Sequence, residues 1–165
     1  MMKKSLIVVV ICLLTLSFIM LSNKETAYGA RETITASEVV SYMNSLVGAT
    51  NNYKGYCLLF VSKCWEAMGF PGSYNWGNAT NFTNKNLVST SRDNIPVGAD
   101  VFFTSGNGDG HIGIYIGNGY FVHADSNDVY EKSNLSEKEY SNRYIGWGWH
   151  PYVTVISVWS TTGLT

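Results

Sequence analysis

The stretch His111-Ile112-Gly113-Ile114-Tyr115-Ile116-Gly117-Asn118-Gly119-Tyr120-Phe121-Val122-His123-Ala124 decides the reading of this chain. Two runs rich in β-branched and aromatic residues are parted by Gly117-Asn118-Gly119, the pattern of a β-hairpin. A three-residue loop with Gly119 left-handed sets Ile116 opposite Tyr120 and Gly113 opposite His123, with His111 diagonal to it. Both histidines then share a face with Gly113, Tyr115 and Phe121, within about 7 Å or somewhat more, Cα to Cα. Ile112, Ile114, Ile116, Tyr120 and Val122 take the other face. A two-residue Asn118-Gly119 turn instead sends the histidines to opposite faces, so the register tests any chemistry built on the pair. Gly113 leaves space for another side chain to approach.

Outward from the hairpin, the chain divides into a helical half and a strand half. Upstream lie a turn at Asn94-Ile95-Pro96-Val97-Gly98, a strand from Asp100 to Thr104 and a glycine-rich loop from Ser105 to Gly110. Downstream, Tyr144 to Trp149 and Tyr152 to Trp159 read as strands, and Asp125 to Asn142 has no strong period. Earlier, Thr35-Ala36-Ser37-Glu38 is a capping box opening a helix over 36–47, closed by Gly48. Cys57, Phe60, Val61, Cys64, Trp65 and Met68 recur at helical spacing, with Gly69 as the stop. Residues 70–78 are turn-rich, and a short helix is expected near 79–87. Helices precede strands, which is α+β order, without repeats or alternating βαβ units.

The first thirty residues stand apart. Lys3 and Lys4 precede an apolar run reaching Leu21, and the segment ends Ala27-Tyr28-Gly29-Ala30. This is the order of a secretory signal, cleaved after Gly29 or Ala30. The apolar run is short for a membrane span, which needs about 20 residues. The expected organisation is a signal peptide over 1–30 and one catalytic domain over 31–165, with its core at about 36–150. The 165 residues are 45% hydrophobic and 14% charged, with a formal charge of −1. Loss of Lys3, Lys4 and Lys24 with Glu25 makes the mature chain more acidic, and no basic block argues for nucleic acid.

After processing, Cys57 and Cys64 remain. Seven helical residues rise about 10 Å, too far for a disulfide. An exported protein that keeps free thiols needs a reason, and catalysis is one. Cys57 falls in the first turn of its helix, where unpaired N–H groups and the dipole favour a thiolate and receive an oxyanion. Cys64, two turns deeper, reads as a small buried hydrophobe. A helix-start thiol, a histidine to take its proton and a polar group to orient that histidine form a nucleophile constellation. Cys57 is the candidate nucleophile, His111 its base, and His123 the orienting residue. Zinc ligation by the same three side chains is the competing chemistry, but no short paired spacing supports it. No metal and no cofactor are expected. His150 is expected to be a strand-end surface residue, the aromatics from Tyr144 to Trp159 core filling, and Asp109 a turn residue.

These segments resemble the NlpC/P60 family of cell-wall hydrolases, which are papain-like cysteine peptidases and amidases. The resemblance is carried by Cys57-Leu58-Leu59-Phe60-Val61 with Gly69, by Pro96-Val97-Gly98-Ala99-Asp100-Val101-Phe102-Phe103, and most specifically by His111 to Gly119 and Phe121 to Ala124. It implies an α+β papain-like fold with N-terminal helices packed on an antiparallel sheet. It implies amide cleavage through a thioester, with peptidoglycan stem peptides or cross-bridges as substrate, by a monomer that is secreted and cell-wall associated and free of the membrane after signal cleavage. An upstream tyrosine near the oxyanion is also implied, with Tyr53 and Tyr56 as the candidates. Many members read Asp-Cys-Ser-Gly at the nucleophile, the aspartate and serine binding a free amine. Here Tyr56-Cys57-Leu58-Leu59 stands instead, and an apolar flank cannot bind an ammonium that way. The related CHAP amidases share the cysteine–histidine layout. A wall-binding protein on a decayed hydrolase fold is the alternative reading.

Overall fold

The computed structural model describes residues 31–72 and 77–157. The expected signal peptide with its cleavage site, part of the turn-rich 70–78 segment, and Trp159 lie outside the described residues.

The elements run β1 (Thr33–Thr35), α1 (Ala36–Leu46), α2 (Cys57–Ala67), α3 (Ala79–Asn86), β2 (Leu87–Ser89), β3 (Asp100–Phe103), β4 (His111–Gly117), β5 (Tyr120–His123), β6 (Glu131–Asn134), α4 (Lys138–Ser141), β7 (Tyr144–Gly148) and β8 (Thr154–Ile156). Six strands form one antiparallel sheet in the order β2-β7-β3-β4-β5-β6, while β1 and β8 pair in parallel as a separate ribbon. The α+β architecture agrees with the expectation.

Helix α1 starts where its side chains can satisfy its free N–H groups. Thr35 Oγ1 accepts from the Glu38 N–H at 3.2 Å, and the Glu38 carboxylate accepts from the Thr35 N–H at 2.9 Å, completing the capping box. Helix α2 starts differently. Tyr56 at its N-cap makes no side-chain hydrogen bond, so no cap consumes the first-turn donors. Its helical-period apolar residues Phe60, Val61, Cys64 and Trp65 are buried, against Ile112, Ile114 and Val122 of the sheet and Val39 and Met43 of α1. Each such large side chain contributes about 1.5–3 kcal/mol. A second layer on the opposite face of the sheet gathers Val101, Phe103, Tyr115, Phe121 and Tyr140. Tyr144, Trp147 and Trp149 are half-buried against it, as expected of core-filling aromatics, but Tyr152, expected to fill the core with them, is exposed on the turn that precedes β8.

The hairpin combines both turns weighed from the sequence. Gly117 pairs with Tyr120, closing a two-residue turn in which Asn118 and Gly119 have φ of 53° and 82°, the positive values a primed turn needs. A register shift then follows between Tyr115 and Gly117, so that Tyr115 faces Phe121 and Ile114 faces Val122. This bulge inserts one residue on β4. It restores the pairing expected of the three-residue loop, and His111 and His123 share a face. Gly113 is packed where that pairing puts it: a Cβ built there would lie 2.7 Å from Phe121 Cδ2 and 3.1 Å from His123 Cβ.

Four elements escaped the periodicity. β6 and α4 lie in the segment read as patternless, and β1 and β2 have only three residues each. The expected strand Tyr152 to Trp159 is reduced, among the described residues, to Thr154–Ile156 outside the main sheet.

Candidate active site

The two histidines meet as the hairpin register requires. His111 Nε2 and His123 Nδ1 are 3.0 Å apart, with rings nearly perpendicular at 89°. Both are buried. Phe103 packs on His111, and Phe121 stacks on His123 with ring centroids 4.8 Å apart. The other His123 nitrogen, Nε2, lies 3.0 Å from Ser133 Oγ on β6 and 3.5 Å from the Tyr140 hydroxyl on α4. A polar chain therefore runs from β4 through β5 to β6. One of the paired nitrogens must donate and the other accept. If His123 accepts at Nδ1, its proton sits on Nε2 and is donated to Ser133. His111 then carries its proton on Nε2 and leaves Nδ1 as a free base.

Burial pushes the pKa of His111 down to about 4, with the negative charge of Asp125 opposing the shift and the positive charge of Arg143 adding to it. Burial pushes His123 down to about 3, and His111, as a second cation, adds to the shift. At neutral pH both rings are neutral, the state a proton acceptor needs.

Cys57 is the first residue of α2 and is half-buried. Backbone N–H groups of Ile112, the residue next to His111 on β4, of Leu58 and of Cys57 itself favour its thiolate. Burial raises the thiol pKa, those N–H groups oppose the rise, and the Asp125 charge adds to it. The helix N-terminus acts in the expected direction, but desolvation outweighs it. The resting group is a thiol, which needs a base to ionise it. Cys64 is a free buried thiol whose pKa burial pushes far up, the inert hydrophobe expected from its position.

A cavity of about 290 Å³ opens beside the sulfur. Tyr56, Cys57 and Leu59 line it on the helix side, and Asn78, Asp109 and Gly110 line it opposite. Tyr56 is exposed. Tyr53 does not line this cavity; its ring stacks on Tyr130 and tilts against Phe60. Asp109 behaves as a loop residue, its carboxylate accepting from Asn78 Nδ2 at 3.0 Å and Asn107 Nδ2 at 2.7 Å.

His150 corrects the sequence reading. It is not at the surface but 1% exposed, with Nδ1 3.2 Å from Asp100 Oδ2 and its ring stacked between Trp65 and Phe82. The turn after β7 folds it under the helices, and Asp100 gives it a buried partner.

His111, His123 and Asp125 offer nitrogen and oxygen atoms within 4.8 Å of one another. His111 Nε2 and His123 Nδ1 are joined by a hydrogen bond, so one of the two nitrogens carries the proton and has no lone pair for a metal. The set reads as a hydrogen-bonded dyad with a carboxylate beside it, not as a metal ligand set. Sequence reasoning missed Ser133, Tyr140 and Asp125 because they lie in the segment without periodicity; the pairing of β5 with β6 brings Ser133 to His123, and α4 brings Tyr140.

The NlpC/P60 family model matches residues 48–148, and the chain belongs to that family. Its fold is also that of an NlpC/P60 family protein from Bacillus cereus, with a TM-score of 0.55 at 19% identity over 70% of this chain and 40% of that one. An NLP/P60 family protein from Staphylococcus aureus described as similar to lipoprotein gives a TM-score of 0.54 at 17% identity, over 78% and 46%. Murein DD-endopeptidase MepS/murein LD-carboxypeptidase of Escherichia coli K12 is 41% identical over 56 residues, which cover 34% of this chain and 30% of that protein. The match thus spans less than half the length of any of these relatives.

Proposed function

We propose that this chain is an exported cysteine hydrolase of bacterial peptidoglycan. The observation that carries the reading is the His111–His123 pair at 3.0 Å, with Cys57 at the first turn of α2 and the Ile112 N–H, next to His111, favouring its thiolate. Family membership and the partial likeness to a murein endopeptidase support peptidoglycan, since murein is that polymer. The charged, apolar and small-residue order of 1–30 supports export.

In this reading His111 Nδ1 takes the Cys57 proton as sulfur attacks the carbonyl carbon of an amide. His123 accepts the His111 Nε2–H, holding its tautomer and orientation. First-turn N–H groups of α2 are the donors available to the oxyanion, and Tyr56 stands beside them at the cavity. Collapse expels the amine, which leaves with the proton from His111 and a thioester on Cys57. Water, deprotonated by His111, then hydrolyses the thioester and regenerates the thiol.

The test is to digest purified cell walls with the chain from Arg31 onward, thiol reduced, and to identify released fragments by mass spectrometry. New amine and carboxylate ends that vanish in Cys57→Ala are expected. Intact walls at any enzyme concentration would sink the proposal.

A further inference from the structure

Asp125 follows the His123 strand and is drawn into the site by a buried knot. Asn51, 6% exposed, donates through Nδ2 to the Asp125 carbonyl at 2.9 Å and the Asn127 carbonyl at 3.0 Å. Its own N–H donates to the Asp128 carbonyl at 2.7 Å. Its Oδ1 accepts from the Tyr53 N–H at 2.9 Å. Thr50 bridges to Val129, and Lys54 pairs with Asp128. The loop leading into Cys57 is thus tied to the loop leading out of His123. The Ser126 N–H, at 2.8 Å, holds Asp125 Oδ1. The carboxylate is left within 4.8 Å of a ring nitrogen of both histidines.

When His111 takes the thiol proton, a cation forms in a buried site where charge is costly. The charged and titratable groups acting on it are His123 from β5, Asp125 after β5 and Arg143 before β7, and Asp125 acts on Cys57 of α2 as well. Arg143 opposes the cation, and its guanidinium is engaged by the Thr104 carbonyl and Glu139. Asp125 is the carboxylate placed to receive it. We propose that Asp125 is a positioning residue that holds the imidazolium of His111 after the proton leaves Cys57, completing a Cys57–His111–His123–Asp125 constellation. The inference rests on the cysteine-hydrolase reading for its rate consequence, but not for its effect on the imidazole.

That difference decides the experiment. Asp125→Asn keeps an oxygen for the Ser126 N–H and leaves the Asn51 bonds to backbone intact, removing charge alone. The pKa of the His111 ring is followed by NMR in an acid titration over the range in which the protein stays folded. An opposite charge within about 4–6 Å is worth roughly one pKa unit or more. The His111 pKa is therefore expected about one unit lower in Asp125→Asn and restored in Asp125→Glu. In wall digestion kcat falls about tenfold with KM unchanged, and the acidic limb of the kcat/KM profile moves to lower pH by about one unit. An unchanged or raised His111 pKa would make the carboxylate structural, and a change in KM alone would make it a substrate contact. Each of these overturns the proposal. A lowered His111 pKa in a protein that leaves walls intact would keep Asp125 and remove the peptidoglycan reading.

Discussion

Gly113→Ala is the smallest change that tests whether the hairpin register makes the site. The added Cβ would lie 2.7 Å from Phe121 Cδ2, 2.9 Å from the Val122 carbonyl oxygen and 3.1 Å from His123 Cβ. An ordinary contact needs about 3.5–4.0 Å, so β5 must yield by several tenths of an ångström or more. The Val122 oxygen is backbone and cannot rotate away, so the strand itself moves. Overpacking of this kind costs about 1–3 kcal/mol, which lowers the melting temperature of a domain this size by roughly 3–12 °C. The same displacement acts on the 3.0 Å His111–His123 bond, and opening it past about 3.5 Å ends it as a hydrogen bond. Turnover is then expected to fall further than stability explains, at a temperature where the variant is fully folded. Thermal melts and wall digestion on one preparation give both numbers. A variant with parental melting temperature and parental kcat would refute the argument, because it would mean that β4 and β5 do not approach as closely as Gly113 allows.

Further outcomes follow from buried polar groups. Ser133→Ala removes the partner of His123 Nε2 at 3.0 Å; about 1–3 kcal/mol of stability is expected to go, and kcat to fall with KM held, which urea titration and initial rates check. Asp100→Ala breaks a buried pair with His150 and is expected to cost about 3–5 kcal/mol; a loss under 1 kcal/mol in urea denaturation would show the pair to be dispensable. Acid lowers stability through the site. The folded pKa values of His111 and His123 are down to about 4 and about 3, so the unfolded chain binds more protons below about pH 6.5. Their contribution is complete above that pH and drains away as pH falls towards 4, at about 1.4 kcal/mol per pH unit for each histidine; His123→Asn should flatten the dependence in a pH series of urea midpoints.

How much of this was readable in the sequence depended on whether a residue obeyed a local rule. The α1 capping box, the α2 stripe from Cys57 to Met68 and the β4–β5 hairpin were legible because each is specified by neighbours within one or two turns or strands. The turn was legible only as two alternatives. Residue types at Gly117-Asn118-Gly119 permit a primed two-residue turn or a longer loop, and the bulge that reconciles them answers to packing of Phe121 and His123 over Gly113. β6 reads Glu131-Lys132-Ser133-Asn134, with no apolar alternation to announce a strand. Its one buried residue, Ser133, is buried to serve His123. His150 was misread for a related reason: a polar residue beside a proline reads as surface, and only a partner 50 positions away makes its burial tolerable.

The placement of the thiol explains why this site needs more than a helix N-terminus. A cysteine at that position in open solvent is ionised by the dipole and free N–H groups alone. Here the sulfur is half-buried, and desolvation raises its pKa despite three backbone donors. Burial also lowers the basicity of the neighbouring imidazole, so desolvation works against ion-pair formation at both ends of the proton transfer. What opposes it is the His123–Ser133 chain, which presents one tautomer of His111, and the carboxylate of Asp125 near both rings. In the proposed mechanism such a site keeps Cys57 as a thiol at rest and ionises it only when the proton has somewhere to go. A resting thiol is also less open to oxidation than a standing thiolate.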